Sequence, residues 1–102
     1  RDQLVENARK TGTYFLNRLR ALAVKWPVVV EPRGRGLMCA IDFATAADRD
    51  RVVTELRDRE HVLVLPGGAR GIRFRPPLNV TTTELDAVVD AVERVLRGTV
   101  AG

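Results

Sequence analysis

Leu37-Met38-Cys39-Ala40-Ile41-Asp42-Phe43 alternates strictly, with Leu37, Cys39, Ile41 and Phe43 on one side and Met38, Ala40 and Asp42 on the other. A period of two marks a β-strand, and this one has a wholly apolar face. Such a face must be buried against a second layer. The flanking sequence supplies that layer as helices.

Upstream, Leu4, Ala8, Gly12, Phe15, Leu16, Leu19, Leu22, Ala23 and Trp26 recur in steps of three and four, the stripe of an amphipathic helix. Pro27 ends it, because the residue before a proline is pushed out of helical geometry. Val28 to Val30 reads as a short β-branched strand, and Pro32-Arg33-Gly34-Arg35-Gly36 as a turn. Downstream, Thr45 and Asp48 cap a second helix with Val52, Val53 and Leu56 inward. Val62 to Leu65 reads as a buried strand, and Pro66-Gly67-Gly68 opens a loop that ends near Gly71. Ile72 to Arg75 forms a short strand stopped by Pro76 and Pro77. Thr81 and Glu84 have capping-box spacing, and Leu85, Val88, Val89, Val92 and Leu96 face inward until Gly98 stops the helix.

The order is helix, strand, strand, helix, strand, strand, helix. It predicts an α+β domain over residues 1–102, with a small, mostly antiparallel sheet of three to four strands covered by helices. The Leu37–Phe43 face should lie against the last helix.

Hydrophobic residues make up 45% and charged residues 29% of the chain, a globular composition rather than a disordered one. No apolar run approaches the ~20 residues of a bilayer span, so no membrane partner is expected. The net charge of +4 comes from arginines interleaved with acids, as in Asp58-Arg59-Glu60, which is the pattern of a solvated helix face. Nucleic-acid binders gather their charge and add stacking aromatics, so that class is set aside. The single cysteine excludes an internal disulfide and fits a cytoplasmic location. The chain opens on Arg1 rather than Met, which suggests a piece of a longer protein.

Chemistry concentrates at Ile72-Arg73-Phe74-Arg75. Alternation sends Ile72 and Phe74 to the core and both arginines to the other face, ~6–7 Å apart. Two such cations repel unless an anion lies between them, and the planar guanidinium fork suits a carboxylate. The simpler possibility is that both pair with surface acids. Gly34-Arg35-Gly36 leads into a strand and Gly67-Gly68 lacks a following lysine, so neither reads as a phosphate loop. His61 stands alone, and Cys39 alternates into the apolar face as a small core residue. No His, Cys and carboxylate set has metal-ligand spacing, so no metal is expected. Lys10 and Lys25, the only lysines, fall on the polar side of the first helix. No catalytic or cofactor-binding residue emerges, and the residues alone describe a binding or accessory domain that presents arginines.

Glu6-Asn7-Ala8 with Gly12, Arg33 to Met38, Val64-Leu65-Pro66, Ile72 to Leu78, and Thr81 to Asp86 resemble, in order, the C-terminal part of class III aminotransferases. The stretch from Arg33 to Leu78 is most similar to the lysine 6-aminotransferases among them. The resemblance implies the C-terminal small domain of a homodimeric, pyridoxal-phosphate-dependent enzyme whose large domain is absent here. The cofactor would be held by the parent and not by this piece, which would be inactive alone. The parent would move an amino group from an amino acid, the terminal amine of L-lysine, to the 2-oxoacid 2-oxoglutarate. The resemblance also assigns roles: Arg73 binds a substrate carboxylate, Arg75 supports it, and the turn at Gly34 and Gly36 passes beside the active-site entrance. The alternative is a free-standing α+β carboxylate-binding or regulatory domain.

Overall fold

The computed structural model describes residues 2–99. Helix α1 spans Asp2–Lys25, strand β1 Val29–Arg35, β2 Met38–Phe43, helix α2 Ala46–Arg59, β3 Leu65–Gly67, β4 Gly71–Phe74 and helix α3 Thr82–Thr99. The expected order of elements holds. The strands form one antiparallel sheet in the order β1-β2-β4-β3.

Both predicted caps form. Thr45 Oγ1 accepts the Asp48 backbone N–H at 3.1 Å at the start of α2. Ahead of α3, the Thr81 N–H donates to Glu84 Oε1 at 2.9 Å while the Glu84 N–H donates to Thr81 Oγ1 at 3.2 Å. Each bond satisfies an N–H that the helix itself leaves without a partner.

Leu37, Cys39, Ile41 and Phe43 are buried together, as their alternation requires. They do not rest mainly on the last helix. Helices α1 and α2 lie against the sheet, and α3 packs on those two helices. Phe15 of α1 meets Phe74 of β4 edge to face, with ring centroids 5.2 Å apart. Removing a fully buried ring such as Phe43 costs about 3–5 kcal/mol, a large share of a small domain's stability.

Four local expectations are corrected. Pro32 to Arg35 belong to β1 rather than to a turn: β1 lies at the sheet edge, where a proline withholds no needed ladder bond. The register slips between Val30 and Arg33, and Glu31 takes a positive φ there, so a bulge absorbs the proline. Val62 to Leu65 is not a buried strand; Leu63 is 83% exposed, and β3 begins only at Leu65. The Ile72 strand ends at Phe74, leaving Arg75 just beyond the ladder. Finally, α3 runs through Gly98 to Thr99, since one glycine costs a helix about 1 kcal/mol without breaking it.

Candidate functional site

The register lines up Arg33, Ala40, Arg73 and Leu65 across the four strands. Arg33, Arg73 and Leu65 are exposed there, on the side opposite Cys39, Ile41, Ile72 and Phe74. Helices α1 and α2 pack on the other side and α3 packs on them, so among the described residues this row belongs to an open sheet face. A shallow cavity of about 250 Å³ lies here, and its lining includes Arg33, Met38, Ala40, Arg73 and Arg75.

The arginines of this face are not equivalent. Arg33 Nη2 lies 3.1 Å from Asp42 Oδ1, and its Nη1 donates to the Glu31 carbonyl at 2.9 Å. Arg33 is therefore neutralised within the sheet. Arg73 and Arg75 make no side-chain hydrogen bond or ion pair among the described residues, and both are exposed. The expectation that they pair with surface acids is not met. The stem of Arg73 runs over Gly67 of β3. Both guanidinium-bearing residues border the cavity.

The neighbouring glycines hold different places. Gly34 is paired with Cys39 inside the β1–β2 ladder, not in the turn. Gly36 makes the turn with φ of 56°, and its carbonyl presses on Gly12 of α1. Cys39 is buried and its thiol is pushed above the usual range by burial, so it stays a core side chain. His61 takes φ of 58° just past the end of α2, where it is exposed.

Asn7 is a residue whose role the sequence did not define. Its Nδ2 donates to the carbonyls of Leu78 at 2.8 Å and Val80 at 3.3 Å, tying the segment after Pro76-Pro77 to α1. Arg33 was likewise missed, because its partner Asp42 is nine residues away and comes near only through the β1–β2 pairing. The one signal for it was its place before the glycine-rich turn.

Both lysines belong to α1. Lys25 Nζ is engaged by Glu93 at 2.7 Å on the helix side of the domain. Lys10 is exposed on α1 and does not line the cavity beside the arginines. Among the described residues no group of three or more His, Cys, Asp or Glu side chains could hold a metal ion, and no helix is long and apolar enough to cross a membrane.

The α+β fold matches what the motifs implied, and the model for aminotransferase class III matches residues 1–96. The chain belongs to the class III aminotransferase family. It is 51% identical over 94 residues to an L-lysine-epsilon aminotransferase of Mycobacterium tuberculosis, covering 91% of this chain and 21% of that protein. An ornithine aminotransferase of a Geobacillus species is 34% identical over 97 residues, covering 95% of this chain and 23% of that protein. The solved lysine aminotransferase of M. tuberculosis in its internal aldimine form superposes with a TM-score of 0.91 at 47% identity, over 95% of this chain and 22% of that one. The chain thus spans about a fifth of the length of these relatives.

Proposed function

We propose that this chain is the C-terminal small domain of a homodimeric, pyridoxal-phosphate-dependent aminotransferase that passes the terminal amine of L-lysine to 2-oxoglutarate. Its own contribution is Arg73, which binds a substrate carboxylate, with Arg75 beside it. The observation that carries this reading is the pair of unpaired guanidinium groups on the open sheet face, next to an Arg33 that Asp42 already neutralises. Similarity to lysine aminotransferases supports the choice of donor. The cofactor would be held by residues outside this chain, a reading supported by the engagement of Lys25 with Glu93 and by the place of Lys10 outside the arginine-bearing cavity.

A carboxylate fixed by Arg73 would orient the rest of the substrate, and orientation is a large part of the rate advantage in such reactions. In the full-length enzyme, Arg73→Ala should lower kcat/KM about tenfold to a hundredfold, the worth of one or two charge-assisted hydrogen bonds. Arg73→Lys should recover only part, since an ammonium lacks the fork. The melting temperature should hardly change, because the side chain is exposed. Normal turnover in Arg73→Ala with loss in Arg75→Ala would reverse the two roles.

A further inference from the structure

Gly67 lies on β3 diagonally across the ladder from Arg73: Leu65 pairs with Arg73, and Gly67 with Gly71. Diagonal neighbours on one face are within reach of a long side chain. A Cβ built on Gly67 would stand 2.6 Å from Arg73 Nε, 2.9 Å from its Cγ and 3.2 Å from its Cδ. The arginine stem therefore lies flat on the bare backbone of β3 from Cγ to Nε.

Backbone geometry does not demand glycine at this position. The glycines with positive φ among the described residues are Gly36 and Gly68, not Gly67. What a side chain at 67 would displace is the arginine, a flexible group, and no backbone atom is among its nearest contacts. The shelf is also held in place: Arg49 of α2 donates to the carbonyls of Gly68, Ala69 and Gly71, which fixes the turn just after Gly67.

We propose that Gly67 is a positioning residue for Arg73, its missing side chain leaving the shelf that sets where the guanidinium meets a substrate carboxylate. This rests on the carboxylate-binding reading of Arg73. A side chain at 67 lifts the arginine stem into another rotamer and moves the fork away from its bound position, while the fold stays intact. A glycine in a strand is ordinarily a weakness, so its replacement carries no intrinsic penalty in stability.

The test is a double-mutant cycle in the full-length enzyme with Gly67→Ala, Arg73→Ala and both together, and Gly67→Ser as a second probe of the same shelf. Binding of glutarate, an unreactive dicarboxylate, is measured by calorimetry beside KM and kcat for 2-oxoglutarate and thermal melting. Gly67→Ala and Gly67→Ser are expected to raise the glutarate Kd and the KM about tenfold, with kcat and melting temperature nearly unchanged. In the Arg73→Ala background the same changes should have no further effect. Equal losses in both backgrounds, or no loss from either Gly67 variant while Arg73→Ala weakens binding, would overturn the proposal and leave the role of Arg73 standing. If Arg73→Ala itself leaves the Kd and KM unchanged, the carboxylate reading fails, and the role of Gly67 falls with it.

Discussion

The carbonyl of Gly36 occupies the volume that a Cβ on Gly12 would fill. This contact pins the tip of the β1–β2 hairpin to the middle of α1. Both glycines are needed, for separate reasons. Gly36 has φ of 56° with open space around it, so its requirement is conformational. Gly12 sits in a helix and its requirement is steric.

Helix propensity alone would favour Gly12→Ala by up to about 1 kcal/mol. The contact should reverse that sign, because the obstacle is backbone and cannot rotate away. Overpacking of this kind costs roughly 1–3 kcal/mol. Urea unfolding of the Gly12→Ala chain is expected to show a net loss, with Gly36→Ala losing less. A Gly12→Ala chain more stable than the parent would mean that the hairpin is free to lift off the helix.

Elements whose burial follows a simple period were legible in the sequence. The β2 face and the inward stripe of α3 were read from spacing, because packing against one neighbouring layer imposes that spacing. Both helix caps were read from single pairs of side chains. The two edge strands were legible in place but not in extent. β1 contains Pro32 and Gly34 and β3 contains Pro66, residues that signal turns but are tolerated where one side of the strand needs no hydrogen bonds. At the site, Arg73 and Arg75 stood out as two cations on one short strand. Asp42, Gly67 and Arg49 did not, since their parts depend on register and on a helix that approaches from elsewhere in the chain.

The pH response should centre on Glu93. Its carboxylate accepts from Trp26 Nε1 at 2.9 Å and pairs with Lys25 Nζ at 2.7 Å. Chiefly through the Lys25 bond and then the Trp26 bond, its pKa is held below the ordinary value of 4.5. A carboxyl depressed in the folded state adds stability above about pH 4.5 that is lost as pH falls through the folded value. For partly solvated ion pairs the amount is no more than about 1 kcal/mol. Glu93→Gln should melt lower than the parent at pH 7, and the gap should close toward pH 3. Trp26 is the single tryptophan, so its fluorescence follows the same titration locally. Glu60 and Asp58, each depressed by a neighbouring arginine, should leave a residual slope in the variant. A gap that is constant from pH 7 to 3 would show that Glu93 acts through packing and not through its charge.

Arg49 carries the last expectation, because it joins α2 to the sheet edge beside the site. Only 13% of its side chain is exposed. Besides the bond from Nε to Asp50 Oδ1 at 2.7 Å, its guanidinium reaches the carbonyls of Gly71 at 3.0 Å, Ala69 at 3.3 Å and Gly68 at 3.5 Å. One planar fork thus gathers the carbonyls of a turn that has few other anchors. Hydrogen bonds from a charged donor are worth ~1.5–3 kcal/mol in favourable geometry, and two of these are long, so the lower end applies. Arg49→Met keeps much of the apolar stem and removes the donors, so it isolates the hydrogen bonds from the packing. That variant should lose about 1–2 kcal/mol, and amides of β3 and β4 should exchange faster while those in the middle of α1 keep their protection. Arg49→Lys should recover only part, since an ammonium cannot span carbonyls spread over four residues. Uniformly faster exchange across the domain would mean that Arg49 supports global stability and leaves the hairpin no looser than the rest. Faster exchange confined to β3 and β4 would identify Arg49 as the tie that keeps the strand under Arg73 in place.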